Sequence, residues 1–264
     1  MTESLPMTIA LFTTSVFLFA GVIKGVIGLG LPTVAMALLA LVMHPAQAAA
    51  LLVVPSLVTN LMQLRPFATI LPMSRRLASM QAGVVSGSLG GAIWLGGSMG
   101  HRATVALGVV LMLYAAWGLA GVRVAVSART ERWLGPVVGL TTGLVTAATG
   151  VFVVPAVPYL QALGLHKDDL IRAMGISFTV STVALGAGLI VQGTFSTGNL
   201  TDSMVMLLPA MAGMAVGQWM RSLLSPGLFK TIFFIGLGLL GLYMVAKDRA
   251  EMFTARLVLQ VMFI

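Results

Sequence analysis

The sequence predicts an all-α polytopic membrane protein made of two inverted repeats, each of about five hydrophobic segments with a broken or re-entrant first helix pair. Three observations carry this expectation: the composition, a duplicated glycine-proline cluster, and the distribution of loop charge. Of the 264 residues, 58% are hydrophobic and 8% charged, where a soluble domain carries about 25% charged residues. The mean hydropathy is +1.03. The apolar residues come in continuous runs of about 20, the length that crosses a hydrocarbon core as a helix. Continuous runs, rather than alternating ones, disfavour a barrel, the other architecture that satisfies every backbone group in lipid.

Taken in order, the runs fall at 8–24, 29–43, 46–64, 77–98, 103–122, 133–149, 151–165, 170–192, 203–220 and 228–246. The stretch before Met7 holds Glu3 and no basic residue. It lacks the charged region of a cleaved signal, so the first run is expected to stay as a span in the cell (inner or plasma) membrane. Residues 1–125 form the first repeat, 126–250 the second, and 251–264 a tail too short to span, expected at the interface.

Two stretches cannot be single helices. Residues 8–43 contain Gly21, Gly25, Gly28, Gly30 and Pro32, and residues 133–165 contain Gly139, Gly143, Gly150, Pro155 and Pro158. Glycine frees the backbone and proline removes a donor, so each cluster breaks its helix. The clusters also match each other. Gly21 and Gly28 answer Gly143 and Gly150, and beyond the prolines Leu31 to Leu57 lies over Val154 to Val180 without a gap. Further on, Gly83, Gly87 and Gly90 answer Gly213 and Gly217, a small-residue stripe expected to allow close helix packing. The period is about 125 residues, far longer than a solenoid repeat.

Loop charge sets the orientation. Arg65, Arg75 and Arg76 precede the fourth run, and Arg123, Arg129 and Arg132 lie between the halves. The loop 193–202, the counterpart of 65–76, has no basic residue and carries Asp202. Basic loops face the cytoplasm, so 65–76 is expected inside and 193–202 outside. The halves are then inverted, with Arg102, Lys247 and Arg249 as exceptions.

Inverted repeats with interrupted helices point to a secondary transporter, because a broken helix presents unpaired N–H groups at a positive dipole end. The ionisable residues indicate the sign of the solute. All seven acids (Glu3, Glu131, Asp168, Asp169, Asp202, Asp248 and Glu251) lie in loops or at run ends, whereas a cation carrier needs a carboxylate inside a span. Lys24 sits in the first cluster and Arg172 a few residues into the eighth run, cations that invite an anion. The candidate substrate-binding set is Lys24, Gly25, Gly28, Gly30 and Pro32 at the first break, with Ser56, Thr59, Asn60 and Gln63 on one helical face after it. The second half adds Thr146, Thr149, Gly150 and Pro155, then Arg172, Ser177 and Ser181. The alternative for the cations is snorkelling to the interface, and for the hydroxyls, hydrogen bonding between helices.

Other functions find little support. The chain has no cysteine, and none of its three histidines has a second ligand at metal spacing. No span carries a carboxylate for acid-base chemistry, so an enzyme is not expected. There is no phosphate-binding loop. The net charge of +8 is attributed to basic loops rather than to nucleic-acid binding. No cofactor is expected. The partners are a small anion and membrane lipid, with protons or sodium as candidate coupling ions and a homodimer as the candidate assembly. A carboxylate carrier, or a membrane subunit that does not transport, is the alternative.

Gly21-Val-Ile-Lys-Gly-Val-Ile-Gly-Leu-Gly-Leu-Pro32, a short apolar helix, a His-Pro turn and the Ala-rich stretch Ala46 to Val54 resemble the TauE/SafE sulfite exporter family. Val138 to Pro155, followed by Ile171-Arg-Ala-Met-Gly-Ile-Ser177, is similar to its second repeat. The likeness runs from about residue 10 to residue 246. It implies transport of sulfite, sulfoacetate or a related sulfonate. The family's triple-glycine stretch is replaced here by Gly28-Leu-Gly-Leu and Gly150-Val-Phe-Val, whose bulk is expected to narrow access to the backbone.

Overall fold

The computed structural model describes residues 7–65, 70–95, 101–122, 124–223 and 225–262; Glu3 and Arg123 lie outside them. Among the described residues there are eleven helices and no strand. In the first half α1 spans Met7–Ile27, α2 Leu31–Leu39, α3 Pro45–Met62, α4 Ile70–Arg76, α5 Ala78–Leu95 and α6 His101–Ala120. In the second, α7 spans Ala128–Thr149, α8 Ala156–Ala162, α9 Lys167–Val191, α10 Thr197–Met220 and α11 Pro226–Met262. Every expected run contains a helix, and α4 is an addition, a short basic helix ahead of α5. The expected separate tail is instead continuous with α11 through Met262.

Six helices, α1, α3, α6, α9, α10 and the first part of α11, are long and apolar enough to cross a membrane. The expected runs in α5 and α7 fall outside that group. Glycine and serine dilute α5, and Arg129, Glu131 and Arg132 open α7.

Both breaks fall where the glycines stand. Gly28 and Gly30 have φ of 86° and 109°, and Gly150 has 71°, angles that a side chain strains against. In each pair the first helix is full length and the second is short: α1 has 21 residues and α2 has 9, while α7 has 22 and α8 has 7. Nine residues rise about 14 Å, less than half of a hydrocarbon core. Within α2 every residue but Leu38 is buried. Irregular backbone is tolerated within a membrane only inside protein, and most residues of α2 and α8 are buried.

The long helices pack in a reciprocal pattern. α1 lies along α10, α5 along α7 and α6 along α11, while α3 contacts α9 and α10, and α9 contacts α3 and α5. Glycines make the two closest crossings. Gly21 and Gly25 rest on the carbonyls of Ala210 and Met214, and Gly213 and Gly217 on those of Leu18 and Val22. Across α5 and α7, Gly83 and Gly87 meet the carbonyls of Pro136 and Leu140, and Gly139 and Gly143 those of Met80 and Val84. A Cβ at any of these positions would collide with backbone. Because lipid supplies no hydrophobic drive between helices, such close packing holds them together. Gly90 does not join this stripe: it faces open space, and Gly91 packs on Ala147 instead. Positions 83, 87 and 91 keep the four-residue spacing that a helix face requires.

Two polar links complete the frame. Arg76 donates from Nε to Glu131 Oε1 at 2.7 Å and from Nη2 to Oε2 at 2.8 Å, a bidentate clamp between α4 and α7. In α3, Pro55 has no N–H for the Leu51 carbonyl. Ser203 of α10 donates its hydroxyl to that carbonyl at 2.8 Å and accepts from Val54 N–H at 3.0 Å.

Candidate functional site

Lys24 occupies the last turn of α1, where a cation complements the negative end of the helix. Its side chain points inward and is 2% exposed. The ammonium donates to Thr59 Oγ1 at 3.0 Å and to Asn60 Oδ1, both on α3. Asn60 Nδ2 donates in turn to Thr182 Oγ1 of α9 at 3.3 Å, so one chain of bonds joins the first break to both third-run helices. One turn beyond Asn60, Gln63 Nε2 donates to the carbonyl of Gly28 and ties the end of α3 to the break. The predicted face of Thr59, Asn60 and Gln63 is therefore directed at Lys24 and Gly28.

A cavity of about 590 Å³ lies over this group. Lys24 and Gly25 line it from α1 and Gly28 from the break after it, Met62, Gln63 and Arg65 from α3 and the residues just after it, Asp168, Ile171 and Arg172 from α9, and Met214, Gln218 and Arg221 from the end of α10 and the residue just past it. Arg65, Arg172 and Arg221 line it with Lys24, against a single lining acid, Asp168, so positive charge is in excess. Arg172 is not the unpaired cation expected: its Nη1 bonds Asp169 Oδ1 at 3.0 Å. The acid is one helical turn away, where two charges on α9 readily meet.

A family model described as sulfite exporter TauE/SafE matches residues 13–244. The chain belongs to the TauE/SafE family. No curated protein and no solved structure matches it. This TauE/SafE chain is an integral membrane protein of a transporter family, as its apolar helices require.

In this TauE/SafE chain only the first break lines the cavity. Residues of both breaks are in the candidate set, but the second break is filled: Gly150 packs on Met36 and Ala49, and Phe152 meets Phe178 at a tilt of 53°, with 5.3 Å between ring centroids. The part of the first break that meets the cavity is the carbonyl end of α1, not the amide end of α2. Gly30 packs beside Ile23 and Phe233, and Pro32 is buried within α2. Thr146 and Thr149 turn their hydroxyls to the carbonyls of Thr142 and Val145 on their own helix, each at 2.7 Å. Pro155 caps α8. The hydroxyls of Ser56, Ser177 and Ser181 are buried with no partner among the described residues.

Sequence reasoning missed Met214, Gln218 and Arg221. Residues 214, 218 and 221 share one face of α10 at spacings of four and three. Gln218, a polar residue directly after Gly217 of the glycine stripe, was the available signal.

Proposed function

We propose that this TauE/SafE chain is a secondary transporter of a small anion, sulfite or an organosulfonate, working by alternating access between two inverted repeats. The observation that carries this reading is Lys24, a buried cation on the wall of an open cavity whose hydrogen-bond partners, Thr59 and Asn60, are both neutral. Burying a charge is costly unless it is compensated. A mobile anion would supply that compensation, which favours its binding beside Lys24. Arg65 and Arg221, which also line the cavity, draw anions in electrostatically.

Three features favour inversion. α1 pairs with α10 as α7 pairs with α5. Gln63 joins the end of α3 to the end of α1, whereas Gln192 joins the end of α9 to the far end of α5. Basic residues gather at the cavity, which on the positive-inside rule faces the cytoplasm.

Proteoliposome flux of sulfite, sulfoacetate and a small carboxylate, each under imposed proton or sodium gradients, tests the proposal. Saturable flux of a sulfur oxyanion above the carboxylate supports it, and flux no greater than in empty liposomes for every anion overturns it.

A further inference from the structure

The cavity has a counterpart on the opposite side of the repeat pairing. The register of the duplication assigns each wall residue an equivalent. Gly25 corresponds to Ala147 when Gly21 is laid on Gly143, and Met62 to Leu185 when Leu31 is laid on Val154. For the fourth-run helices, the glycine contacts set the register: Gly213 rests on the Leu18 carbonyl and Gly87 on that of Leu140, and Leu18 and Leu140 each stand three residues before the matched Gly21 and Gly143. Met214 then corresponds to Ser88 and Gln218 to Ala92. These four equivalents, Ser88, Ala92, Ala147 and Leu185, line one small void together with Gly188 and Gln192. The cavity at Lys24 is about 590 Å³, and its counterpart is about 10 Å³.

What closes the counterpart is on the page. Gly188 of α9 brings the chain to within 3.2 Å of Ala92 Cβ, counted from where its own Cβ would stand. Gln192 Nε2 donates to the Ala92 carbonyl at 3.0 Å. The Ser88 hydroxyl, 1% exposed, is left in this seam with no partner among the described residues. A buried hydroxyl without a partner costs free energy unless water or a ligand meets it in another state.

We propose that the seam between α5, α7 and α9 is the second mouth of the anion path, closed here, and that Ser88 meets the anion when it opens. This rests on the alternating-access reading. Opening parts α9 from α5, breaking the Gln192 bond, to leave a space like the one that Met62 of α3 and Met214 and Gln218 of α10 line at Lys24. Tight glycine contacts on both α1–α10 and α5–α7 leave α3 and α9 as the elements that move.

The native chain has no cysteine, so single cysteines report access directly. Ser88→Cys and Gln218→Cys proteins in oriented proteoliposomes are exposed to a membrane-impermeant maleimide from either side, and excess reagent is removed before sulfite flux is measured. Ser88→Cys should label only from the side opposite Arg65, Gln218→Cys only from the Arg65 side, and labelling at 88 should lower flux at least tenfold. Labelling of Ser88→Cys from the Arg65 side, no labelling from either side while Gln218→Cys reacts, or labelled protein that transports at the unlabelled rate overturns the second mouth. Ala184→Cys, which lines the same void, is the second variant if Ser88→Cys fails to fold. Opposite-sided labelling in a protein that carries no anion would sink the function proposed above and leave the second mouth standing.

Discussion

Lys24 Nζ donates to Thr59 Oγ1 at 3.0 Å, and that hydroxyl donates to the Pro55 carbonyl at 2.6 Å. The threonine thus holds the ammonium against the wall of the cavity without cancelling its charge. A hydroxyl fixed by its own helix is an acceptor of set direction, which orients the lysine toward the space an anion would enter.

Replacing Lys24 by Met keeps the length and the apolar stem but removes the charge. Loss of a charge-assisted hydrogen bond to the substrate costs about 1.5–3 kcal/mol, which is about ten- to a hundredfold in affinity. Sulfite flux at low concentration should fall by that factor, with normal expression. Lys24→Arg should retain part of the flux, since the charge remains while the compact ammonium does not. Parental flux in Lys24→Met would reduce Lys24 to a structural residue.

Asn60→Asp tests the same site from the other partner. Asn60 Oδ1 already accepts from the ammonium, so a carboxylate there supplies the counter-charge that the anion is proposed to bring. The protein should fold, and anion flux should fall at least about tenfold, as with Lys24→Met. Asn60→Ser, neutral and smaller, should retain more flux than Asn60→Asp. Equal flux in the two variants would show that charge balance at Lys24 is not what the substrate reads.

The breaks and the position of Lys24 were legible in the sequence because glycine, proline and an isolated cation act locally. The helical face of Thr59, Asn60 and Gln63 was legible for the same reason, since spacings of three and four need no tertiary information. What could not be read was which end of each break meets the cavity, because that depends on how α1 crosses α10. Gln218 and Arg221 were hidden by the same gap: their part in the site comes from pairing between halves. The ion pair of Arg172 with Asp169 was within reach at its spacing of three. The closing of the second break was not, because it rests on side chains such as Met36 and Phe178 arriving from other helices.

The corrected glycine stripe predicts a sharp contrast between neighbours on α5. Gly87 lies on the Leu140 carbonyl and Gly90 faces open space. Gly87→Leu should lower the midpoint of thermal unfolding in detergent, since overpacking costs about 1–3 kcal/mol and here meets rigid backbone. Gly90→Leu should leave the midpoint unchanged or raise it slightly, because leucine is the better helix former. Equal losses at both positions would argue against the α5–α7 crossing.

Orientation is tested at two positions in stretches that the proposed repeat makes equivalent. Ser74 lies in α4, in the basic stretch 65–76, and Asp202 in the second turn of α10, in its acidic counterpart 193–202. An impermeant thiol reagent should reach Ser74→Cys from the cytoplasmic side and Asp202→Cys from the outer side. Labelling of both from one side would rule out inversion.

The last prediction concerns the link between Pro55 and Ser203. Proline at 55 leaves the Leu51 carbonyl without a helix donor, and Ser203 Oγ bonds that carbonyl at 2.8 Å. Ser203→Ala removes the donor and leaves a buried carbonyl unpaired, a loss of about 1–3 kcal/mol for a buried group and closer to about 0.6 kcal/mol where membrane surroundings offer other partners. Pro55→Ala restores an N–H at 55, and the Leu51 carbonyl can then close an ordinary helical bond. Ser203→Ala should therefore cost less in the Pro55→Ala background than in the parent. A double-mutant cycle on unfolding in detergent reads the difference, and coupling of at least about 0.5 kcal/mol is expected for groups in contact. Zero coupling would mean that water, not Ser203, satisfies the carbonyl. The same pair bears on function, because this bond pins α3 to α10 at mid-helix while the far end of α3 lines the Lys24 cavity. If α3 pivots about that point, Ser203→Ala should change flux more than its small loss of stability accounts for, and the Pro55→Ala background should restore stability without restoring flux.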